Sequence, residues 1–367
     1  MSERTRFLGL DAHALTIAVA VAEEVGAPSE HGVIPNDPSS VRRLVGRLGG
    51  PGVRLVACYE AGPTGYALHR HLQALGVECM VVAPSLVPTR SGDRVKTDRR
   101  DALKLARLLR SGDLTPVWVP DEEHEALRDL VRARADAKAD ELRAKHRLSK
   151  FLLRRGIRPP HGMRAWTTRH RTWLARIRLQ ESCAQIVLED YLSVVRAADD
   201  RVRRLEAALL TAVPDRHRAL VAALQAFRGI AYLTAVTIVA EVGDLRRFAT
   251  APQFMAYVGV VPSEYSSGAS RHRGRITKTG NAMLRHVLGE AAHHCRLQPR
   301  VSTTLRRRQQ AVPTAVVELA WRAQTRLHQR YRHLSARLGR PKATTAVSRE
   351  LAGFVWAVGQ QLEVPAA

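Results

Sequence analysis

The first strong pattern along the chain is a pair of short apolar runs between residues 6 and 22. The runs read RFLGL and ALTIAVAVA, and Asp11, Ala12 and His13 separate them. Short apolar runs that are bounded by turn-forming residues predict β-strands. We therefore expect two strands joined by a tight turn, with Asp11 at the end of the first strand.

Strand-like and helix-like segments then alternate to about residue 115. The helix-like SSVRRLVGRLGG is followed by the strand-like VRLVACYEA, the helix-like GYALHRHLQALG and the strand-like VECMVVA. The next segment, TDRRDALKLARLLRSG, has leucines at helical spacing and ends at Ser-Gly, which is a typical helix stop. Such alternation predicts a first domain of the α/β class over residues 1–115.

The rest of the chain has a helical pattern. Residues 116–215 are charged and Arg-rich, with apolar residues at helical spacing, which predicts a coiled-coil dimerisation region whose two arms meet at GIRPPHGM, residues 156–163. Residues 216–362 form a predicted, mainly helical third domain, and residues 363–367 a frayed tail. Within the third domain, residues 227–244 indicate a helix, a turn at Gly229 and a second helix.

Composition narrows the class of protein. The 367 residues include 58 Lys and Arg against 34 Asp and Glu, a net charge of +24 that is spread along the chain. Such an excess predicts a polyanionic partner. No apolar run of about 18 residues and no signal-peptide pattern follows Met1, so we expect no membrane association and a cytoplasmic, nucleoid-associated protein. The four cysteines are scattered and suggest neither a zinc module nor a disulfide framework.

Four carboxylates of the first domain occupy positions where sites collect in α/β folds. Asp11 and Glu60 end predicted strands, while Asp98 and Asp101 lie at i and i+3 on one helix face. Like charges held close together need a cation, and Mg²⁺ prefers oxygen ligands. Each acid could equally be a helix cap or a turn residue. The ordered set of four favours a metal site over that simpler interpretation.

These residues also carry a family resemblance. FLGLDAH, YEAGPTGY and KTDRRDALKLARLL resemble the N-terminal DEDD domain of insertion-sequence transposases that join a RuvC-like nuclease fold to a serine-containing transposase domain. The resemblance covers residues 6 to 112 and implies an RNase H-like fold. It further implies that Mg²⁺, or Mn²⁺, is bound by Asp11, Glu60, Asp98 and Asp101. Lys96 and Thr97 match the motif around the third acid, and we expect Lys96 to contact nucleic acid.

A second stretch, residues 257–292, resembles the serine-containing domain of the same family. The elements G-x-V-P, S-G, an Arg-rich loop, I-T-K-x-G-N and L-R recur in order. The resemblance implies a nucleophilic serine in the S-G element, which is Ser267, with Ser266 in reserve. No general base is identifiable beside it in the sequence. The resemblance implies that acids and metal of one subunit serve the serine of another.

Basic residues around the serine suit phosphate neutralisation, because Arg forks match phosphate oxygens. The alternative for them is a solvated basic loop. The residues expected to bind nucleic acid here are Arg271, Arg273, Arg275 and Lys278. Upstream, residues 227–244 look like a helix-hairpin-helix, which can hold a phosphate on backbone N–H groups. Ala231 replaces the final glycine of the usual Gly-Ile-Gly, so plain helix packing is an equal interpretation.

The leading hypothesis is a transposase or recombinase that cuts and rejoins donor and target DNA. The resemblance adds a structured guide RNA that supplies sequence choice, and the long arms suggest a homodimer that assembles into a tetramer. One alternative is a Holliday-junction-type, metal-dependent nuclease that uses water as its nucleophile. Another is a non-enzymatic nucleic-acid-binding protein whose acids are only caps. The low aromatic content, 5%, argues against reading single strands chiefly by base stacking.

Overall fold

The computed structural model describes residues 4–88, 97–267 and 270–362, except for the side chains of Arg271 and Arg273. These residues form two compact units, Met1–Val119 and Pro120–Ala367. The first unit mixes strands and helices, and the second is largely helical, which confirms the predicted α/β region followed by a helical remainder. No helix in the described ranges is both long and apolar enough to cross a membrane.

The first unit is a five-stranded sheet with helices on both faces. Its elements are β1 (Arg4–Ala12), β2 (Thr16–Glu23), β3 (Ser29–Pro35), α1 (Pro38–Leu48), β4 (Val53–Glu60), α2 (Ala67–Ala74), β5 (Glu78–Val82) and α3 (Asp98–Ser111). The strand order is β3-β2-β1-β4-β5. β1 is antiparallel to β2 and parallel to β4, and β4 is parallel to β5. The predicted β1–β2 hairpin and the alternation through α3 are confirmed, whereas β3 was not predicted.

Each face of the sheet is covered by the helices whose apolar stripe fits it. On one face, α1 and α2 bury Val41, Leu44 and Leu72 against the large aliphatic side chains of β1 and β2. On the other face lies α3. After α3 the chain returns to the sheet, where the N–H of Val117 donates to the carbonyl of Val81 at 2.8 Å. The first unit therefore ends at Val119.

The second unit contains ten helices and one β-hairpin among its described residues. They are α4 (Glu122–Arg154), α5 (Thr168–Arg176), α6 (Ser182–Thr211), α7 (Asp215–Leu224), α8 (Tyr232–Val242), α9 (Ala251–Val258), β6 (Pro262–Ser267), β7 (Ser270–Ile276), α10 (Ala282–Ala292), α11 (Thr303–Gln309), α12 (Thr314–Leu338) and α13 (Arg340–Gln361). α4 and α6 run alongside each other, with Leu148 and Leu188 buried between them. A shared core joins the start of α4 to α8, α10, α12 and α13.

Residues 227–244, which were predicted to form a helix, a turn and a second helix, contain only the turn and the second helix. The first helix, α7, already ends at Leu224, and Phe227 lies in the turn that leads to α8. Gly229 has a φ of +89°, and a Cβ there would lie 2.5 Å from the carbonyl oxygen of Ala291. The turn therefore packs directly on α10, and Gly229 is required by that close approach.

Candidate active site

Asp11 lies on the central strand of the sheet, next to the end of β1. Its backbone pairs with Ala18 of β2, and its side chain is 18% exposed. The turn of the hairpin is closed by other groups, because the N–H of His13 donates to the carbonyl of Thr16 at 2.8 Å. A role as a turn residue does not account for Asp11.

The helix that carries Asp98 and Asp101 approaches this strand very closely. A Cβ on Gly9 would lie 2.1 Å from the carbonyl oxygen of Ala102 and 2.3 Å from the amide nitrogen of Ala106, so only glycine fits at that point of β1. Around it, a layer of alanines fills the gap between β2 and α3. We call it the alanine layer; its members are Ala18, Ala20, Ala22, Ala102 and Ala106. The absence of larger side chains allows α3 to lie against the sheet.

The first turn of α3 presents both of its acids at the same end as Asp11. Thr97 is the N-cap, and its hydroxyl accepts a hydrogen bond from the N–H of Arg100 at 3.3 Å. The capping position is therefore already filled by Thr97, and Asp98 and Asp101 follow it as acids of the first turn. Negative charge is favourable at this end of the helix dipole. Asp98 and Asp101 are therefore not needed to cap the helix, and the helix dipole stabilises their negative charge.

Asp11, His13 and Asp98 form one compact group. Their potential ligand atoms all lie within 4.8 Å of one another. Among the described residues, it is the one group of three or more His, Cys, Asp or Glu that is close enough to hold a metal ion. The Nε2 atom of His13 lies 3.4 Å from a carboxylate oxygen of Asp11 and 3.4 Å from one of Asp98. A cation that entered here would meet two carboxylates and an imidazole.

The pKa of Asp11 is raised above its ordinary value, chiefly by burial. Burial raises the pKa of Asp11, the neighbouring His13 lowers it, and the charges of Asp98 and Asp101 raise it again. The net result is a raised pKa, so a bound cation would favour the ionised form. Asp101 thus influences Asp11 although it is outside the compact group.

Glu60 ends the strand beside β1. Leu10 and Tyr59 are partners in the parallel β1–β4 ladder. The next residue of each strand, Asp11 in β1 and Glu60 in β4, therefore lies at the same level of the sheet. Glu60 also lies outside the compact group. The structure therefore places all four predicted acids at one end of the sheet and brings two of them, Asp11 and Asp98, into direct proximity. His13 is the residue that the sequence interpretation missed, since it was assigned only to a turn.

The two candidate nucleophiles lie on the β6–β7 hairpin, which was not predicted. Ser267 pairs with Ser270 at the end of the ladder, and both Ser266 and Ser267 are exposed. The Ser266 hydroxyl donates to Oε1 of Glu264 at 3.0 Å. Residues two apart in a strand lie on the same face, so Glu264 can act as a carboxylate partner for Ser266. The sequence analysis missed this pair because the segment was not predicted to be a strand.

A buried glutamate holds the foot of this hairpin. Glu241, on α8, is 1% exposed, and its carboxylate accepts two hydrogen bonds from Arg132 of α4 at 2.8 and 3.0 Å. It also accepts one from the side-chain amide of Asn281 at 2.6 Å. Asn281 caps α10 through a bond from the N–H of Leu284, and its own N–H donates to Tyr257. Asn281 is therefore both a cap and the link between Glu241 and the segment that follows β7.

Three of the basic residues predicted to bind nucleic acid lie on β7, and a fourth, Lys278, lies just after it. Backbone pairing sets Arg271 opposite Ser266 and Arg273 opposite Glu264. Arg275 and Lys278 are exposed, and Lys278 has a φ of 56°, an uncommon conformation for a residue other than glycine. Lys96 lies outside the described residues.

Comparison with known proteins gives matches along both units. Residues 221–308 match a family model described as "Transposase IS116/IS110/IS902 family", and residues 8–156 match an IS110-type DEDD model described as "Transposase". The chain is 44% identical over 98% of its length to the protein y4qE of Sinorhizobium fredii, named as a transposase, and covers 89% of it. It is 33% identical over 90% of its length to the transposase of insertion sequence element IS1533 from Leptospira borgpetersenii, covering 97% of that protein.

Proposed function

Because this chain belongs to the IS110/IS116 family of transposases and is therefore a DNA transposase, we propose that it cuts and rejoins DNA with a serine nucleophile and a divalent cation. The proposed nucleophile is Ser267. The proposed cation ligands are Asp11, Glu60, Asp98 and Asp101. The observation that carries the proposal is the convergence of Asp11 and Asp98 beside a carboxyl-rich helix start, in the part of the chain that matches the DEDD model.

The donor set fits Mg²⁺ or Mn²⁺. Carboxylate oxygens are the ligands that both ions accept, and the pKa of Asp11 is raised first by burial and then by the charges of Asp98 and Asp101, which a cation would neutralise. His13 adds a nitrogen ligand to the compact group. When bound, such a cation supplies charge stabilisation to the phosphoryl oxygens of a transferring phosphate. A DEDD domain of this kind supports divalent-metal dependence, and Mg²⁺ is our proposal for the ion.

The serine step conserves atoms and charge. The Ser267 oxygen attacks a DNA phosphorus, an Oγ–P bond forms and a P–O bond of the DNA backbone breaks, while the hydroxyl proton leaves and the departing DNA oxygen takes up a proton. Attack by a hydroxyl of the second strand reverses the step and releases the serine. The base for Ser267 is proposed to be supplied by the acids of another subunit. Ser266, paired to Glu264, stays the reserve nucleophile.

The finer architecture is also proposed. The strand order β3-β2-β1-β4-β5, with α3 against the central strand, supports an RNase H-like domain over residues 1–115. The 33-residue α4 and the 30-residue α6 support a coiled-coil dimerisation region over 116–215. Residues 216–362 would then be the serine-containing domain with a helix-hairpin-helix-like turn at Gly229. Because this turn packs on α10, we assign it to packing rather than to phosphate binding.

Two further partners are proposed, one from the net charge and one from the long helices α4 and α6. A net charge of +24 suits a second polyanion, and we propose a structured guide RNA that pairs with donor and target. A composite site also requires more than one subunit, so we propose a dimer that assembles into a tetramer on DNA.

The test compares three proteins in one reaction. Wild type, Ser267→Ala and Ser266→Ala are incubated with RNA from the ends of the element, Mg²⁺ and labelled donor and target DNA, and protein linked covalently to DNA is separated by denaturing electrophoresis. Wild type should form the linked species, and Ser267→Ala should lose it. Ser266→Ala should retain it within roughly threefold, because its hydroxyl faces Glu264 rather than the end of the hairpin. Asp11→Asn should abolish cleavage altogether.

Two results would overturn parts of the proposal. Cleavage without any linked species, unchanged in Ser267→Ala, would identify a metal-dependent nuclease that uses water. A linked species that is lost only in Ser266→Ala would move the nucleophile by one residue and make Glu264 its base.

A further inference from the structure

A large cavity lies at the foot of the hairpin in the second unit. It has a volume of about 810 Å³, is open to solvent, and is lined mainly by α10, α12 and α13. Val260, which precedes β6, and Ile276, which ends β7, also line it. The cavity therefore touches both ends of the hairpin that carries Ser267.

The walls of the cavity are positively charged. Arg285, Arg296 and Arg340 line it, against a single carboxylate, Glu290. The Nη1 atom of Arg285 donates to the carbonyl of Val258 at 2.9 Å, which fixes the guanidinium at the wall. Arg guanidinium groups bind phosphate oxygens through paired N–H donors. The charge indicates an anionic ligand.

One wall contains a buried hydroxyl that lacks a partner. Ser348 of α13 lines the cavity and is 3% exposed, and its Oγ makes no hydrogen bond to any described residue. A buried polar group without a partner costs roughly 1–3 kcal/mol. Its helix neighbour Thr344, in contrast, donates to the carbonyl of Arg340 at 3.0 Å. The Oγ atom itself is almost wholly covered, so it lies behind the cavity wall, and the arginines are the groups that a ligand would meet.

The cavity is too large and too apolar for a phosphate ion alone. Leu297 and Tyr331 add apolar surface to that of Val260 and Ile276. Cavities of about 300–1,000 Å³ accept small organic molecules, and a nucleobase has apolar faces with polar edges. The volume matches one nucleotide that has left the base stack better than it matches a DNA duplex, which could only lie across the opening.

We propose that this cavity binds one unpaired nucleotide of the DNA strand, with its phosphate at the arginines and its base against the apolar wall. This inference rests on the proposed function, because the choice of DNA follows from the position of the cavity beneath the hairpin of Ser267. The cavity would hold the strand near the attacked phosphate and so position it for the serine.

The test uses variants that fill the cavity or remove one of its positive charges, and it measures the binding of an oligonucleotide rather than catalysis. Gly289 of α10 lines the cavity, and a Cβ there meets nothing within 4 Å, so Gly289→Leu should occupy the space without a backbone clash. Arg340→Ala removes one charge. The matched controls are Gly46→Leu on α1, where a Cβ also meets nothing within 4 Å, and Arg337→Ala on α12, outside the cavity.

Binding of a fluorescein-labelled, short single-stranded oligothymidylate is followed by anisotropy, without divalent metal and at one salt concentration. Gly289→Leu and Arg340→Ala should each weaken binding about tenfold. Both controls should stay within about twofold of wild type, and thymidine monophosphate should compete far better than inorganic phosphate. Thermal unfolding checks that each variant folds; if Gly289→Leu does not, Arg340→Ala and the competition decide.

The proposal would be overturned by equal losses in the cavity variants and their controls, or by equal competition from inorganic phosphate. Tighter binding of an oligouridylate RNA, lost in the same variants, would assign the cavity to RNA instead. Ser267→Ala should bind the probe as wild type does, so failure of the serine chemistry and failure of the cavity proposal give different results.

Discussion

Asp11 lies on the central strand of a five-stranded sheet and is held against α3 by close backbone packing, whereas Ser267 lies at the end of an exposed two-stranded hairpin. In the first unit, the core itself sets the spacing of the acids. In the second unit, the foot of the hairpin is tied to the core through Asn281 and Glu241. The acid site is thus positioned by close backbone packing, whereas the hairpin of the serine is anchored by a buried polar network.

The largest effect is expected from adding a carbon atom to Gly9, where α3 packs on β1. Gly9→Ala would place a Cβ against backbone atoms of Ala102 and Ala106, which cannot move without displacing α3. We expect a loss of about 3 kcal/mol in the free energy of unfolding of the first unit. DNA cleavage should fall about 100-fold, because Asp98 moves away from Asp11. Urea denaturation and metal-dependent cleavage measure the two effects.

The control for Gly9→Ala is Gly46→Ala, where a Cβ meets nothing within 4 Å. Alanine favours a helix over glycine, so this change should be neutral or slightly stabilising. Equal stability of the two variants would contradict the close packing of α3 on β1.

The second unit is tested by Glu241→Gln. The substitution keeps the shape but removes the charge that accepts two bonds from Arg132. We expect a loss of about 2 kcal/mol in the free energy of unfolding, together with faster proteolysis at the basic hairpin. Formation of the protein–DNA adduct should fall more than metal-dependent cleavage of an unspecific substrate.

The matched control is Glu206→Gln, which removes a partly exposed ion pair with Arg134, also from α4. Exposed pairs contribute little, so the loss should be below about 1 kcal/mol. If the hairpin becomes equally sensitive to protease in both variants, Glu241 is not its anchor.

A smaller effect concerns pH, at the junction of α4, α7 and α8. Ring nitrogens of His124 and His217 lie 3.0 Å apart, and the other ring nitrogen of His124 bonds to the carbonyl of Ala240. Burial, with the nearby charges of His124 and Arg216, lowers the pKa of His217 to about 4, while Asp121 and Asp244 oppose this. The folded protein therefore disfavours protonation.

An unfolded histidine titrates near pH 6.5, so the unfolded chain binds more protons between about pH 6.5 and 4. Stability should be constant above this window and fall as the pH decreases through it, by about 2 kcal/mol at about pH 5. His217→Gln should flatten the curve, while His146→Gln, on an exposed part of α4, should not. Urea denaturation at several pH values measures this. Parallel curves for wild type and His217→Gln would exclude the histidine pair as the cause.

Much of the first unit could be predicted because its buried elements have clear periodicity. β1, β2 and β4 are apolar runs, and α3 has a cap and a glycine stop. β3 was missed because it is a half-exposed edge strand that contains Gly32 and Pro35. The β6–β7 hairpin was missed for a related reason, since its exposed residues lack an apolar alternation and resemble a loop.

The sequence predicted that Asp11 and Asp98 would lie close together, but it did not predict the polar residues that contact them or support the hairpin. Asp11 and Asp98 follow from strand ends and a helix start, which are local signals. His13 meets Asp98 only because α3 returns to the sheet, and that return is not a local property of the sequence. Glu241 was overlooked within an apolar helix, although a single acid among buried aliphatic residues is itself a signal of a buried partner.

The alanine layer has a consequence for how the gene tolerates change. Methyl groups are the largest side chains that fit between β2 and α3, so most codon changes at these positions introduce a bulkier residue. In a library of random variants selected for transposition, Ala20 and Ala106 should accept glycine or serine at most, while the exposed outer residues of α3 vary widely. The interval between the acids would then be preserved by selection against larger side chains at buried residues that carry no ligand atom of their own.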